Sequence, residues 1–574
     1  MHYQQYGVIV LLLALVAGLI FSKRSPALWF GGALLLSYLV GWLPLEKALQ
    51  NFANPSLVTL LLLLLVSIAI EKSQLVTWLS QGFQGKRLSS VIARLSLSSA
   101  LMSAFINNTA VVATLMSSLR HHNHFAASKL LLPLSYSAIL GGMLTLIGTS
   151  TNLIVNGFIE QSGEPVLGFF DFTLLGALVL AAGIVVLIIG SRWLPDNRQQ
   201  DSDATPYYLT AHVRSDSQLI GKSVEQNQLR ELQALFLAEI QRGKERICPV
   251  TPETVIEAGD ELRFVGDIAA VTRLQQFPGL DLLRQDQQQG ELLEAVLSYS
   301  SRLVGKSLKQ LRFRHEYDAV VIAVRRGHER LQGGLGDLVL HAGDVLILSV
   351  GKHFPGQHQL NQEFVYVNGL SIARPLSQKL SNWVLLGFLA ALSLSIVNIV
   401  PLIKSLPVLL LAYVAIGAVN VKELKNRFPL ELWLIVGSAI GLAQLMIQTG
   451  VAGAIAEGLI TLVDGSGAYG ALVAVFIATW LFTELVTNNA AAALTFPIAY
   501  AIAQSLSVDP VPFFMAVAFG ASASFISPFG YQTNLMVYSA GNYQLKDYLR
   551  LGIPMALTYS AVVLIFLPII YPFK

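Results

Sequence analysis

The stretch SAFINNTAVVA at residues 103–113 places two asparagines and a threonine inside an apolar run, and the stretch TELVTNNAAAA at residues 483–493 does the same near the other end of the chain. Polar side chains at membrane depth are costly, and by default they mark functional sites. The two tripeptides, Asn107-Asn108-Thr109 and Thr487-Asn488-Asn489, therefore predict a binding site built twice.

The composition indicates that these apolar runs cross a membrane. Hydrophobic residues make up 54% and charged residues 13% of the 574 positions, and several runs approach the roughly 20 residues that a helix needs to span a bilayer. The net charge of +3 does not suggest a nucleic-acid partner, and the single cysteine, Cys248, excludes an intramolecular disulfide framework. We therefore predict a polytopic α-helical membrane protein.

The apolar runs form two blocks that match at an offset of about 380 residues. Runs of the first block lie near 6–21, 27–43, 56–71, 91–118, 130–159 and 172–192, and those of the second near 386–401, 406–421, 430–451, 471–504, 511–540 and 551–571. The tripeptides align at this offset, and Gly148-Thr149-Ser150-Thr151-Asn152 aligns two residues later with Gly530-Tyr531-Gln532-Thr533-Asn534. This pattern predicts an internal duplication.

The membrane topology follows from the placement of basic residues. If each tripeptide lies on a re-entrant hairpin, each block crosses the membrane five times, and the odd number inverts the second copy. A cytoplasmic polar middle then leaves only Lys47, Lys404 and Lys574 outside, against sixteen flanking basic residues inside. We expect two inverted repeats in the cell (inner) membrane, residues 1–195 and 371–574, each with five transmembrane helices and one re-entrant hairpin, and with both termini outside.

The polar middle is itself duplicated. Gly221-Lys222-Ser223 recurs as Gly305-Lys306-Ser307, 84 residues later, and alternating apolar runs around these motifs are typical of short strands. The sequence predicts two small cytosolic α+β domains, residues 203–284 and 285–370. They resemble the TrkA-C module, the C-terminal part of the regulator of potassium conductance (RCK). That resemblance implies a dimerising role or the sensing of an unidentified small-molecule ligand.

The broken runs carry the residues suited to transport chemistry. Ser103 and Thr483 each lie four residues before a tripeptide, so one helical turn brings their hydroxyls towards the tip asparagines. Hydroxyl, amide and unwound carbonyl oxygens suit a hard monovalent cation such as sodium, whereas half-helix N-termini favour an anion. Both kinds of group occur in each copy.

At these residues the chain resembles the divalent-anion/sodium symporter family, and the resemblance covers both membrane blocks. In that family each hairpin tip carries a Ser-Asn-Thr signature, with a hydroxyl residue four positions earlier and a partner loop of the Gly/Ala-Thr-Pro-Pro-Asn type. The resemblance implies two sodium sites, the first formed by Ser103, Asn107, Asn108 and Gly148 and the second by Thr483, Thr487, Asn488 and Gly530. It implies an anion site formed by Asn108, Thr109, Thr149, Asn488, Asn489 and Tyr531.

The same resemblance implies a sodium-coupled symporter that works as a homodimer by elevator-type alternating access, with sodium as coupling ion and no organic cofactor. The chain departs from the family pattern, because both partner loops have lost their prolines and Tyr531 stands in place of threonine. TrkA-C inserts resemble the sulfate-type branch of the family. A sulfate-like oxyanion is therefore the favoured substrate, and a dicarboxylate such as succinate or citrate is the alternative.

Other interpretations remain open at this point. The TrkA-C resemblance alone is also typical of potassium transport or of a sensor, although the sequence has no filter-like Gly-Tyr-Gly repeat. Glu484, whose counterpart is Ala104, is either a proton or cation partner or a structural hydrogen-bonding group. An enzyme is not expected, because no paired acids or Ser/His/Asp set lies at membrane depth.

Two local motifs are interpreted as loops. The cluster His121-His122-Asn123-His124 could hold zinc, but neighbouring basic residues favour a cytoplasmic loop. The run Gly333-Gly334-Leu335-Gly336 lacks the strand-to-helix setting of a phosphate loop and is predicted to be a turn.

Overall fold

The computed structural model divides the chain into two compact units, which are residues 1–196 with 372–574 and residues 197–371. The described residues are those of 2–573 other than 23–24, 74–84, 121–123, 198–207, 230–234, 244, 267–276, 278, 284–291, 299–300, 312, 327–328, 332–334, 351–353, 355–362, 368–375, 398 and 463–465. The interpretations of His121-His122-Asn123 and Gly333-Gly334 as loop and turn therefore lie outside the described residues.

The first unit is helical, and its helices before residue 197 follow the apolar runs. They are α1 (His2–Phe21), α2 (Pro26–Leu39), α3 (Leu45–Phe52), α4 (Pro55–Glu71), α5 (Leu88–Ser103), α6 (Asn108–Arg120), α7 (Ala127–Gly142), α8 (Ser150–Gln161) and α9 (Thr173–Gly190). The run containing the first tripeptide is thus two helices, α5 and α6, with a break at residues 104–107.

The helices after residue 372 repeat this order. They are α11 (Gln378–Ile396), α12 (Leu402–Ala415), α13 (Val421–Asn426), α14 (Leu430–Gln448), α15 (Val451–Leu462), α16 (Gly467–Leu485), α17 (Asn488–Leu506), α18 (Val511–Ala521), α19 (Gln532–Ala540) and α20 (Leu545–Ile570). The short helices α3 and α13 occupy the same place in their halves. The counterpart of α15 would fall at residues 74–84, outside the described residues.

Helix starts follow local capping chemistry. The Asn54 side chain accepts hydrogen bonds from the backbone N–H groups of Ser56, at 3.0 Å, and Leu57, at 3.2 Å, while Pro55 occupies the first position of α4. Proline is tolerated there because its missing N–H would have had no helical partner. Ser25 and Pro26 start α2 in the same way.

Long apolar helices account for much of the first unit. Within the described chain, seven helical segments are long and apolar enough to cross a membrane: Tyr3–Phe21, Leu45–Glu71, Thr173–Gly190, Gln378–Ile396, Leu430–Gln448, Gly467–Leu485 and Leu545–Ile570. Helices α7, α8, α17 and α18, which adjoin the partner loops or the second tripeptide, are buried over much of their length. They surround the candidate site.

The two halves of this unit pack against each other reciprocally. Helix α2 packs on α14, and α12, which has the place of α2 in the second half, packs on α4, which has the place of α14 in the first. In the same manner α8 packs on α17 and α19 packs on α6. In each case a helix of one half packs on a helix of the other, and the two equivalent helices make the same contact with the halves exchanged. A two-fold relation between the halves generates such pairs of contacts.

The second unit contains two antiparallel sheets of the same order. The first has strands β1 (Tyr208–Val213), β2 (Leu235–Arg242), β3 (Glu245–Ile247), β4 (Glu261–Gly266) and β5 (Leu280–Leu283) in the order β3-β2-β4-β1-β5. The second has β6 (Leu292–Leu297), β7 (Ala319–Arg326), β8 (Glu329–Leu331), β9 (Val345–Val350) and β10 (Phe364–Val367), with α10 (Phe313–Tyr317), in the order β10-β6-β9-β7-β8. Read from opposite ends, the two orders are equivalent.

The turns that lead into β4 and β9 repeat in detail. Gly259 and Gly343, 84 residues apart, have φ of 84° and 81°, a left-handed conformation that glycine adopts without strain. The aspartate that follows each glycine is buried and accepts a bidentate hydrogen bond from an arginine on the neighbouring strand. These pairs are Arg242 with Asp260 and Arg326 with Asp344.

Candidate functional site

The first tripeptide lies where α5 ends and α6 begins. The Ser103 hydroxyl, fully buried at the end of α5, donates a hydrogen bond to Oδ1 of Asn108, the first residue of α6. The hydroxyl was predicted to approach a tip asparagine. In the structure that asparagine is Asn108, five residues after Ser103, and not Asn107. Asn108 is 4% exposed, which means that the break holds its amide inside the protein.

The end of α7 at Gly142 and the loop that follows it, residues 143–149, close over this amide. A Cβ at Gly142 would lie 3.0 Å from Asn108 Oδ1, and one at Gly148 would lie 2.5 Å from the carbonyl oxygen of Gly142. Across the break, the Thr145 hydroxyl donates to the carbonyl oxygen of Ala104. Close approach to backbone therefore requires glycine at 148 and leaves little room at 142, and carbonyl, amide and hydroxyl oxygens are brought together.

The second tripeptide repeats the arrangement. The Thr483 hydroxyl, also fully buried, lies 2.9 Å from Asn488 Oδ1 and 2.6 Å from the carbonyl oxygen of Ala521, the last residue of α18. Asn488 is the first residue of α17, as Asn108 is of α6. The hydroxyl-to-amide pair thus occurs once in each half, with the same separation in sequence.

The loop that faces this second break, residues 522–531, is held by Glu484. Its Oε1 accepts hydrogen bonds of 3.1 Å from the backbone N–H groups of Phe525 and Ile526. Further along, the Asn534 amide donates to the carbonyl oxygens of Ser524, at 3.1 Å, and Ser527, at 3.3 Å. Side chains on α16 and α19 therefore fix an unwound segment whose own backbone makes few regular bonds.

Each tip reaches across to the partner loop of the other half. Asn108 Nδ2 donates to the Tyr531 hydroxyl at 2.7 Å, and the Thr109 hydroxyl lies 3.3 Å from Gln532 Oε1. In the opposite direction, Asn489 Oδ1 accepts from the Ser150 hydroxyl at 3.1 Å. Asn489 aligns with Thr109, and Ser150 aligns with Gln532. The crossing is therefore reciprocal, and it joins the residues predicted for the anion site.

The reciprocal crossing brings helix N-termini together. The residues in contact are the first residues, or their immediate neighbours, of α6, α8, α17 and α19. A helix N-terminus presents unpaired backbone N–H groups and a partial positive charge. Where such ends converge, an anion is stabilised without a formally charged side chain.

Ten of the twelve predicted site residues fall into two groups in the structure. Ser103, Asn108, Gly148, Thr483, Asn488 and Gly530 line the breaks and loops, and Thr109, Thr149, Asn489 and Tyr531 lie at the crossing, where the Tyr531 side chain interacts with those of Asn108 and Thr149. The remaining two side chains have capping roles. Asn107 is exposed and accepts from the Thr109 N–H at 2.9 Å, and the Thr487 hydroxyl accepts from the Ala490 N–H at 3.4 Å.

Several residues of the site were not predicted. Ser150, Thr151 and Gln532 make tip-to-loop contacts, at 3.1, 3.4 and 3.3 Å respectively. Their signal was present in the aligned partner loops, which contain a polar residue at each of these positions. Their partners could not be identified, because contacts between residues more than 300 positions apart leave no trace in the local pattern of one sequence.

Comparison with known families gives a match over nearly the whole chain. The model of the citrate transporter (CitMHS) family matches residues 9–508 and 465–574. These ranges include both tripeptides and both partner loops, so the matched part contains every residue of the site.

Individual relatives are also similar over long stretches. A Chlamydomonas reinhardtii protein provisionally named a sulfur deprivation response regulator is 33% identical over 91% of this chain and 94% of its own length. An uncharacterized transporter of Synechocystis sp. is 29% identical over 92% of this chain and 90% of its own length. Sodium/sulfate cotransporter 1 of C. reinhardtii is 31% identical over 66% of this chain and 46% of its own length.

Proposed function

This chain belongs to the citrate transporter family, and on that premise we propose that it is a sodium-coupled symporter of a small divalent anion, with a sulfate-like oxyanion as substrate. Family membership and the long apolar helices make it a polytopic α-helical membrane protein, a transporter of anions and not an enzyme. What we propose beyond family membership is that sodium is the coupling ion, that the anion is sulfate-like, and that the residues described above bind them.

The observation that carries the proposal is the reciprocal crossing of tips and partner loops. Asn108 contacts Tyr531 and Asn489 contacts Ser150, so each half of the chain completes the site of the other. The convergent N-termini of α6, α8, α17 and α19 favour an anion between them. An anion held by amides, hydroxyls and helix ends can leave again, because no fixed cation binds it.

Sodium would bind beside this anion at the two breaks. The Ser103–Asn108 and Thr483–Asn488 pairs supply hydroxyl and amide oxygens at the C-terminal ends of α5 and α16, and the close-packed Gly148 and Gly530 bring the partner loop against them. Asn107 and Thr487, whose side chains cap helices, would contribute through their backbone carbonyls. Bound sodium neutralises part of the charge of a divalent anion, which makes the binding of the two ions cooperative.

Two candidate substrates follow from the comparisons. Sulfate is favoured because relatives of this chain are named sodium/sulfate cotransporters. A dicarboxylate or tricarboxylate such as succinate or citrate is the second candidate, since the matched family is described by citrate transport. A tetrahedral oxyanion fits a site of short hydroxyl and amide donors, whereas a longer carboxylate needs donors further apart.

The transport cycle would use the two-fold relation between the halves. Reciprocal packing of α2 on α14 and α12 on α4, together with the odd number of crossings expected in each half, supports an inverted repeat of five helices and one re-entrant hairpin. In such repeats, exchange of the two arrangements opens the site to either side. We further propose a homodimer and an elevator-type motion, both on the basis of the family resemblance. The location of both termini outside the cell is also part of the proposal.

The second unit would serve regulation. Its two sheets of equivalent order, repeated 84 residues apart, support the assignment as a pair of TrkA-C-like domains, and the boundaries 203–284 and 285–370 stay predictions. The excess of flanking basic residues supports a cytoplasmic location. A small-molecule ligand for this pair is part of the proposal, as is its effect on transport.

A thermal-stability screen tests the choice of substrate. Purified protein is heated with sulfate, succinate or citrate, each in sodium chloride or choline chloride, because a ligand that binds only the folded state raises the apparent unfolding temperature. We expect sulfate to stabilise the protein in sodium and not in choline. Stabilisation by citrate alone would assign the substrate to the second candidate, and equal stabilisation in both salts would contradict sodium coupling.

A further inference from the structure

Glu484 places a carboxylate at a position where the first half of the chain has an alanine. It lies on α16, one residue after Thr483, and aligns with Ala104. Its Oε1 accepts the N–H groups of Phe525 and Ile526, and the Ser527 N–H also faces this carboxylate. Burial opposes the ionisation of this carboxylate, whereas the N–H donors aimed at it favour the ionised form.

The other carboxylate oxygen is buried and available. Among the residues that the structure describes, Glu484 Oε2 has no hydrogen-bond partner, and neither has the hydroxyl of Ser524, a fully buried residue. Both atoms lie within 3.3 Å of the position that a Cβ at Gly530 would take. Two oxygens without a described partner, one of them on a carboxylate, thus converge on the space left by the missing side chain of Gly530.

The loop that builds this space is longer in the second half. Ten residues, 522–531, separate α18 from α19, whereas seven residues, 143–149, separate α7 from α8. Glu484 holds the N–H groups of residues within the longer loop. In the first half, Ala104 contributes only its carbonyl oxygen, to Thr145, and a Cβ at Gly148 would meet the backbone of Gly142 instead of side-chain oxygens. The carboxylate of Glu484 and the longer loop that it holds are thus both features of the second half.

We propose that Glu484 Oε2 and Ser524 Oγ, with Gly530 beside them, form a charged cation subsite, and that they make the second sodium site differ in kind from the first. The proposal rests on the proposed sodium coupling and deepens it. A carboxylate oxygen buried without a hydrogen-bond partner is costly, and a monovalent cation bound between Glu484 Oε2 and Ser524 Oγ would supply the missing partner and favour the charged form. Sodium at this site is neutralised by Glu484, whereas sodium at the Ser103–Asn108 site adds a positive charge next to the anion.

A sodium titration of apparent unfolding temperature tests the subsite in the full-length protein. Wild type is compared with Glu484→Gln, which preserves the Oε1 acceptor and supplies an NH2 group to donate to Ser524, and with Ser524→Ala, which removes only the hydroxyl. Glu457→Gln, an exposed carboxylate on α15, is the matched control. We expect Glu484→Gln to raise the half-maximal sodium concentration about tenfold or more, and Ser524→Ala to raise it severalfold.

Sodium-free stability separates a charged subsite from a purely structural cap. In choline chloride the subsite of wild type holds no sodium, so the unfolding temperature of Glu484→Gln should equal or exceed that of wild type. In sodium chloride the variant should lack the increase in unfolding temperature that sodium gives wild type. Lower stability in choline with an unchanged sodium response would assign Glu484 to loop capping alone and overturn the subsite. Sodium stabilisation of wild type with no change in any variant would overturn the subsite but not the coupling, and a wild type without any sodium response would overturn both.

Discussion

Asn108 Nδ2 donates a hydrogen bond of 2.7 Å to the Tyr531 hydroxyl, and this bond joins the tip of one half of the chain to the partner loop of the other. Asn108 also accepts from Ser103 inside its own half. One amide therefore links a proposed sodium site, through its oxygen, to the proposed anion site, through its nitrogen. A ligand that moved this side chain at one place would disturb its hydrogen bond at the other, which offers a direct physical route for coupling.

Tyr531→Phe tests the anion side of this link. The variant keeps the ring and removes the hydroxyl, so the Asn108 amide is left without its acceptor in a buried place. We expect the KM for sulfate to rise about tenfold, because the Tyr531 hydroxyl is a proposed anion ligand and a hydrogen bond to a charged group contributes about 1.5–3 kcal/mol. Sodium-dependent stabilisation should remain, since Ser103 and Asn108 are intact. Initial uptake rates in proteoliposomes measure the effect.

Tyr538→Phe is the matched control for that variant. Tyr538 lies on the same helix, α19, where its ring contacts Phe529 and Tyr548. Loss of this hydroxyl leaves those ring contacts in place and should leave the KM for sulfate within about twofold of wild type. Equal effects of the two substitutions would indicate that the Asn108–Tyr531 bond has no specific role.

Gly148→Ala tests whether close approach at the first partner loop is required. The added Cβ would lie 2.5 Å from the carbonyl oxygen of Gly142, so the backbone must move. We expect a destabilisation of about 1–3 kcal/mol, as for other overpacked sites, together with a weaker response to sodium. Unfolding temperature with and without sodium measures both quantities.

Gly32→Ala on α2 is the control for added volume. Outside the backbone of α2 itself and the two neighbouring residues, no atom of the described residues lies within 4 Å of the position that its Cβ would take, and alanine is a better helix former than glycine. Its stability should equal or exceed that of wild type. A Gly148→Ala protein with wild-type stability and sodium response would show that the loop can move away from the first break without loss.

Cys248 offers a test of the second unit. Burial raises the pKa of its thiol, and the side chain contacts Ser349 of the second sheet at 3.2 Å. A raised pKa leaves less thiolate near pH 7–8, so alkylation by iodoacetamide in the native protein should be several times slower than that of free cysteine. Because the chain has one cysteine, the labelled fraction follows this site alone. Native labelling as fast as in urea would contradict the packing of Cys248 on Ser349.

The sequence predicted the positions of the helix breaks better than the contacts made across them. The apolar runs and the tripeptides placed the breaks correctly, since a polar residue in an apolar helix has a large energetic signature. Spacing alone placed the hydroxyls four residues before the tripeptides. In the structure the chain unwinds at residues 104–107, and an unwound segment no longer follows the helical repeat. Ser103 therefore contacts Asn108, five residues later, instead of the residue four positions later.

The tertiary contacts were beyond local patterns. Thr109 and Gln532 come together only through the fold of the whole unit. The sequence around either residue contains no pattern that predicts contact with the other. The role of Glu484 was left open between cation partner and structural group, because a single sequence cannot show that Oε1 holds a loop while Oε2 faces Ser524. The histidines at 121 and 122 lie outside the described residues, so their interpretation as a loop stays a prediction.

Uptake of radiolabelled sulfate into proteoliposomes, driven by an inward sodium gradient, tests the central claim most directly. Wild type, Asn108→Ala, Asn488→Ala and the exposed control Asn382→Ala on α11 are compared at equal reconstitution, with a choline gradient as the sodium-free reference. The account predicts sodium-dependent uptake by wild type and Asn382→Ala, and none above the choline level by Asn108→Ala or Asn488→Ala. Undiminished sodium-driven uptake in both site variants would contradict it.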